Sequence, residues 1–150
     1  MWLHPYLINC LVPNYIVSID RFLFYMNELS VKNLLAQGYA LGDIVILTGH
    51  GRSKSTLLNV DRIGNFATRR FTGTYTRAGN PVWSNGELMV ESIYRFKGQS
   101  APAIILSEMD FTELTDLERR KLFVGMTRAQ MSLQVVLSAQ AEASIAKALG

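Results

Sequence analysis

Uninterrupted apolar runs along the chain mark the strands of a predicted sheet. Residues 44–47 and 103–106 contain no polar side chain, which is typical of parallel strands that helices cover on both faces. Residues 87–94 show a partial alternation of apolar and polar positions, and this pattern also indicates a strand. Residues 133–137, which are apolar except for Gln134, predict the final strand.

Helix signals lie between and beyond these strands. Residues 31–37 are interpreted as the end of a helix, with the glycine that follows as its left-handed stop. Thr115 and Glu118 form a capping-box pattern, and the helix that they start should run to about Ala129. The alanine-rich residues 139–149 predict a closing helix. Strand, helix and strand at this spacing form a crossover unit of a parallel sheet, so the predicted fold class is α/β.

Positive charge is concentrated in residues 51–86. Six cations stand there against one acid, Asp61, although the whole chain carries a formal charge of only +3. Turn-forming residues at 79–81 and 84–86 predict a short β-hairpin. The segment could attract phosphate and offer aromatic faces to unpaired bases, or it could be a solvated loop region with a few aromatics facing the core. Its cations are Arg52, Lys54, Arg62, Arg69, Arg70 and Arg77, and its aromatics are Phe66, Phe71, Tyr75 and Trp83.

The composition limits the class of protein. With 150 residues, of which 49% are apolar and 18% are charged, the chain can close the core of one compact domain. The single cysteine, Cys10, cannot form an internal disulfide or a cysteine-based zinc site, so we expect a cytoplasmic protein without a metal site of its own. Residues 1–16 are apolar but interrupted, and we expect neither a signal peptide nor a membrane span. Residues 1–28 have no clear periodicity and form a divergent N-terminal segment, either native or left by truncation.

A glycine-rich loop at residues 49–55 follows the first predicted strand and has some likeness to a nucleotide phosphate cradle. Its spacing differs, because Ser53 stands where such a loop needs a glycine immediately before its lysine. We therefore do not assign a phosphate cradle to this loop. Arg52 and Lys54 are candidates for contacts to nucleic-acid phosphate as point charges, and the alternative is a polar loop at a strand end.

Two segments carry the most specific motifs of the chain. Residues 91–100 read Glu-Ser-Ile-Tyr-Arg-Phe-Lys-Gly-Gln-Ser, and residues 123–129 read Phe-Val-Gly-Met-Thr-Arg-Ala. An apolar strand is predicted shortly after each of them. The first segment resembles motif V of superfamily 1 helicases, a strand that ends in His-x-x-Lys-Gly. The second resembles their motif VI, aromatic-Val-Ala/Gly-x-Thr-Arg-Ala. The chain is therefore similar to the second RecA-like domain of UvrD/Rep-like DNA helicases.

The resemblance implies a nucleotide-side role for four residues. Arg128 would be the arginine finger that reaches the γ-phosphate of ATP, and Lys97, Gly98 and Thr127 would lie with it on the nucleotide side. An arginine suits this task because its planar fork stays charged and matches phosphate oxygens. Phosphoryl transfer accumulates negative charge on those oxygens, and an arginine inserted from outside stabilises that charge.

The resemblance also implies contacts to single-stranded DNA. Ser92 and Tyr94 would contact the DNA backbone, and Arg52 and Lys54 of the basic segment would add to them. The chain departs from the family pattern at two positions, with Tyr94 in place of histidine and Ser100 in place of a common glutamate. The second departure removes a carboxylate that could contact ribose or phosphate.

For the chain as a whole, the resemblance implies a RecA-like parallel sheet flanked by helices, with a short β-hairpin insertion, over residues 29–150. We expect three aromatics of the two motifs, Tyr94, Phe96 and Phe123, to serve ordinary core packing rather than ligand contact.

The sequence contains no Gly-x-x-x-x-Gly-Lys-Thr loop and no Asp-Glu pair at a strand end. ATP and its Mg²⁺ would therefore be held mainly by an N-terminal RecA-like helicase domain, supplied in cis or in trans, and we do not expect this chain to hydrolyse ATP alone. The predicted function is the C-terminal motor domain of an ATP-dependent DNA helicase or translocase. The alternative is a non-catalytic nucleic-acid-binding or interaction module derived from a helicase. A third hypothesis, an independent P-loop enzyme, rests on Lys54.

Overall fold

The computed structural model describes residues 19–150, with side chains from Phe22 onward. In this part of the chain, a six-stranded sheet is flanked by three helices, and a two-stranded hairpin is inserted between its strands. The helices are α1 (Ile19–Ala36), α2 (Asp116–Met126) and α3 (Ala139–Leu149). The strands are β1 (Ile44–Thr48), β2 (Arg62–Ile63), β3 (Phe66–Arg69), β4 (Phe71–Tyr75), β5 (Pro81–Trp83), β6 (Leu88–Ser92), β7 (Ala101–Met109) and β8 (Ala129–Leu137).

The sheet is parallel except at one edge. Its strand order is β2-β3-β6-β1-β7-β8. The central strand β1 is parallel to both of its neighbours, β6 and β7, and β7 is parallel to β8. β3 is parallel to β6, whereas β2 runs antiparallel to β3. These findings confirm the predicted α/β class with a mostly parallel sheet and a hairpin insertion, which β4 and β5 form.

The central strand β1 is buried along its whole length. Ile44 and Ile46 belong to the hydrophobic core that contains α1 residues, whereas Val45 and Leu47 belong to the core that contains α2 and α3 residues. Each such side chain contributes about 1.5–3 kcal/mol when it is fully buried. The apolar run at residues 44–47 thus arises because both faces of this strand lie under helices, as predicted.

Helix α1 ends where the sequence indicated. Gly38 has a φ of +98°, a left-handed conformation that glycine adopts without the steric cost of a β-carbon. The helix begins at Ile19, so it runs across the boundary that we placed after residue 28. The rest of the predicted N-terminal segment, residues 1–18, lies outside the described residues.

Helix α2 begins at the predicted cap but has only half of the capping box. Thr115 Oγ1 accepts the N–H of Glu118 at 3.3 Å, as expected of an N-cap threonine. The reciprocal bond is replaced, because the N–H of Thr115 donates to the carbonyl of Glu113 at 2.9 Å. The Glu118 carboxylate instead forms a 3.1 Å ion pair with Lys121.

Helix α2 is also shorter than predicted. It ends at Met126, and Ala129 already belongs to β8, where it pairs with Ala101 of β7. The prediction that the helix reaches about Ala129 was wrong, because Ala129 pairs with β7 as the first residue of β8. Both β7 and β8 extend beyond the apolar runs that revealed them. In the described part of the chain, we find no helix with the length and apolar character needed to span a membrane.

Candidate functional site

The two motif-bearing turns meet at the edge of the sheet where β7 and β8 begin. The N–H of Ala101 donates to the carbonyl of Arg128 at 3.0 Å. Next to it, Gln130 Nε2 donates to Ser100 Oγ at 2.8 Å. The turn at residues 97–100 therefore lies against the turn that follows α2. The structure brings together the two segments from which the nucleotide-side residues were predicted.

The guanidinium of Arg128 is half-buried and held by carbonyl groups. Its Nε donates to the carbonyl of Val124 at 3.2 Å, and its Nη1 donates to the carbonyl of Gln99 at 3.4 Å. Among residues 22–150, no carboxylate lies within ion-pair distance of it. The charge of Arg128 is thus not paired with an acid of the described chain, and its side chain is oriented from both turns.

The other three predicted nucleotide-side residues lie on the same edge. Lys97, Gly98 and Thr127 are all exposed. Gly98 has a φ of +80°, so the sharp turn itself accounts for a glycine at this position. Thr127 Oγ1 donates to the carbonyl of Val124 at 3.0 Å, which ties its side chain to the last turn of α2.

The residues predicted to contact DNA do not share that edge. Ser92 pairs with Thr48, the last residue of β1, whereas the start of β7 lies near the start of β1. Residues 93–100 therefore run from one edge of the sheet to the other. Ser92 is only 3% exposed and its Oγ accepts the N–H of Arg95 at 3.3 Å, so it offers little surface to a ligand. Tyr94, two residues on, is 54% exposed.

A buried carboxylate lies just before residues 93–100, which are called the crossing segment below. Glu91 is only 3% exposed, and burial raises its pKa above the ordinary value for a glutamate. Two contacts act in the opposite direction, namely a 2.8 Å bond from the N–H of Ser92 and a 3.4 Å ion pair with Arg95. Glu91 therefore orients Arg95, which sequence reasoning did not single out.

Arg52 and Lys54 of the basic loop lie in different surroundings. The Arg52 guanidinium donates to the carbonyl of Thr72 in the hairpin, and it lies 5.4 Å from the centre of the Phe71 ring. Lys54 is exposed, and no ion pair of its amine occurs among the described residues. Arg52 thus holds the hairpin to the loop, whereas Lys54 is available to a ligand.

Three hydrogen-bond donors at the end of this loop and just after it are occupied from within the chain. The Glu108 carboxylate accepts hydrogen bonds from Ser55 Oγ at 2.6 Å, from the N–H of Thr56 at 3.0 Å and from the N–H of Leu57 at 3.2 Å. A nucleotide phosphate would need donors of this kind. The Glu108 carboxylate already occupies these donors, which is a physical argument against a phosphate cradle at this end of the loop.

The expectation for the three motif aromatics was correct for one of them. Phe96 is 2% exposed and belongs to the core that contains α2 and α3 residues. Tyr94 and Phe123 are 54% and 69% exposed, so core packing was wrong for both. Tyr94 follows the end of β6, and Phe123 lies on the outer face of α2, where a single sequence does not reveal which side meets solvent.

Other residues of the two edges also escaped sequence reasoning. Glu108 interrupts an apolar strand, which is a signal that could have been used. Gln99 contacts Arg128 through its backbone carbonyl, a group that every residue type has, so the sequence could not indicate it.

Among residues 22–150, no group of three or more histidine, cysteine or acidic side chains could hold a metal ion.

Comparison with known families gives one match. Residues 87–136 match the family model of the UvrD-like helicase C-terminal domain. This range contains both motif-bearing turns, and it confirms the resemblance drawn from them. No curated protein matches the chain.

Proposed function

We propose that the chain is the second motor domain of an ATP-dependent DNA helicase or translocase, because residues 87–136 match the family model of the UvrD-like helicase C-terminal domain. In this proposal, Arg128 is the arginine finger. An N-terminal RecA-like domain, in cis or in trans, holds ATP and Mg²⁺, and single-stranded DNA binds to this chain.

The observation that carries the proposal is the position of Arg128. It lies in the family-matched segment, it is held beside the turn at residues 97–100, and its charge has no acidic partner among the described residues. A guanidinium tied only to neutral carbonyls keeps its charge available to an incoming anion. The γ-phosphate of ATP bound by a second domain is such an anion.

The same edge would complete the nucleotide site. The exposed Lys97 would add a second positive charge near the phosphates, and the left-handed turn at Gly98 would keep the backbone close to the nucleotide. Thr127 would position the finger, because its hydroxyl bonds to the carbonyl that also accepts from Arg128 Nε. None of these residues would bind ATP strongly without the other domain.

The crossing segment offers a route from nucleotide to DNA. Residues 93–100 join the edge that holds Arg128 to the edge where Tyr94 is exposed, and Ile93 and Phe96 anchor the segment in the core. Closure of the two domains on ATP would press on one end of this segment. Tyr94, Lys54 and Arg52 would contact DNA at the other end, and the buried Ser92 would shape the turn that presents Tyr94.

The test is ATP turnover with and without an N-terminal RecA-like domain of the UvrD type. We expect no turnover by the chain alone and DNA-stimulated turnover when the two domains are combined. Arg128→Ala should lower kcat by about 10³-fold or more, and Arg128→Lys should restore only part of it, because lysine lacks the planar fork.

A matched control is Arg62→Ala. Arg62 is an exposed arginine on β2, at the far edge of the sheet from β8. This variant should turn over ATP at nearly the wild-type rate. Near-normal turnover in Arg128→Ala would overturn the finger assignment. Oligonucleotide binding without any turnover by the combined domains would instead favour the non-catalytic module.

A further inference from the structure

The β4–β5 hairpin presents a cluster of three aromatic rings. Phe71 and Tyr75 meet edge to face, with ring centres 5.2 Å apart and planes at 60°. Trp83 on the opposite strand lies 6.2 Å from Phe71. Phe71 is buried and Trp83 is partly covered, whereas Tyr75 is 60% exposed. The hairpin therefore supports one accessible aromatic ring on two covered ones.

Arginines from three different parts of the chain surround this cluster. Arg95 of the crossing segment lies 4.2 Å from the centre of the Phe71 ring, and Arg69 of β3 lies 5.8 Å from the centre of Trp83. Arg52 lies over Phe71 as well, and a β-carbon at Gly73 would overlap its guanidinium. These contacts fix the hairpin to the edge where β1 and β6 end.

The surface around the cluster carries an excess of positive charge. Arg95 is paired with Glu91, but no ion pair of Arg52 or Arg69 occurs among residues 22–150. Asp61, the single acid of residues 51–86, forms a 2.8 Å ion pair with Arg70. The other cations of this segment are therefore not balanced by an acid of the segment itself. A ligand for this surface should combine negative charge with flat apolar faces, and a single-stranded nucleic acid does so.

We propose that the hairpin is a stacking platform for unpaired bases, with Tyr75 as the ring that a base contacts and with Arg52 and Arg69 as the attraction for the phosphates. This inference rests on the proposed function and deepens it, because it assigns part of the single-stranded DNA track to an element outside the family-matched range. A duplex would bind less well, since its base faces are already stacked on each other.

The test uses the chain itself, without nucleotide, and a fluorescent oligothymidylate of about twelve nucleotides, a length within the usual site sizes. Tyr75→Ala should weaken binding by about 30-fold, the middle of the range for one stacked base. Tyr75→Phe should bind within about twofold of the wild type, because stacking requires the ring and not its hydroxyl.

Two controls separate stacking from charge and from loss of fold. Tyr25→Ala removes an equally exposed tyrosine, also 60%, from α1 and should leave affinity unchanged. An abasic oligomer of the same length keeps the phosphates but lacks bases, so Tyr75→Ala should bind it as well as the wild type does.

The outcomes distinguish this inference from the proposed function. Unchanged oligothymidylate affinity in Tyr75→Ala, or an equal loss for the abasic oligomer, would overturn the platform. Either result would leave the role of Arg128 in ATP turnover untouched. An absence of any binding by the wild-type chain would also overturn the platform, while the turnover assay would still decide the motor function.

Discussion

Replacement of Glu108 should destabilise the protein in a graded order that follows from its three hydrogen bonds and its backbone conformation. Its carboxylate joins the end of β7 to the loop after β1 through Ser55, Thr56 and Leu57. Glu108 also has a φ of +53° and is the single non-glycine residue with a positive φ among those described. The side chain thus stabilises a conformation that the backbone alone disfavours.

The expected magnitudes can be estimated from these contacts. A hydrogen bond to a charged group contributes about 1.5–3 kcal/mol, but the loop is partly exposed and water can replace some of the lost bonds. We expect Glu108→Ala to lower the free energy of unfolding by about 2–4 kcal/mol. Glu108→Gly loses the same bonds but relieves left-handed strain of about 1 kcal/mol, so its loss should be smaller by that amount. Glu108→Gln keeps one acceptor oxygen and should lose about 1–2 kcal/mol.

Urea unfolding at neutral pH would measure these differences, with stability extrapolated linearly to zero denaturant. We expect Glu108→Ala to lose more free energy of unfolding than either Glu108→Gly or Glu108→Gln. Equal stability of the alanine and glycine variants would show that the backbone at residue 108 is not strained. A loss below about 0.5 kcal/mol in Glu108→Ala, the range of ordinary surface substitutions, would refute the role of the carboxylate as the tie between strand and loop.

Substitutions at Glu91 in β6 and at Gly86 just before it test the electrostatics and the packing of this part of the sheet. Burial raises the pKa of Glu91, so the folded state binds its proton more tightly than the unfolded chain, and this group makes the protein lose stability as the pH rises through the interval between the two pKa values. The stability of Glu91→Gln relative to wild type should therefore increase from about pH 4 to about pH 7 in urea titrations, and a flat difference would contradict the burial argument. Gly86→Ala places a methyl group against the backbone of Ala67 and should cost about 2 kcal/mol or more. Gly42→Ala, which meets no atom within 4 Å, should stay within about 0.5 kcal/mol, and equal effects of the two glycine variants would refute the close approach.

The strands of the sheet could be predicted from the sequence where helices bury both of their faces. Both faces of β1 lie under helices, so all of its side chains from residue 44 to residue 47 are apolar, and the run is visible without any structure. Gly38 and the turn residues of the hairpin were equally readable, because backbone geometry restricts which residues fit there. The motifs at residues 91–100 and 123–129 were readable for a different reason, since several residue types recur at set spacing.

Strand ends and exposed faces could not be read in the same way. β7 continues through Ser107 and Glu108, which are polar because they bond to α1 and to the loop after β1. Their hydrogen-bond partners are distant in sequence, so no local sequence pattern predicts these contacts. Tyr94 and Phe123 looked like core residues because an aromatic side chain alone does not indicate its direction. Ser92 and Arg128 lie at opposite edges of the sheet, and only the strand pairing shows this separation.

The central claim is tested most directly by two affinities of the combined two-domain protein, one for ADP with aluminium fluoride and one for ADP alone. Aluminium fluoride imitates the phosphoryl group during its transfer. If Arg128 reaches that group, Arg128→Ala should weaken binding of the imitation complex by about 100-fold or more and change ADP binding little, because only the former carries the charge that the finger meets. An equal loss for both ligands, or no loss for either, would contradict the claim that this guanidinium acts on the transferred phosphate.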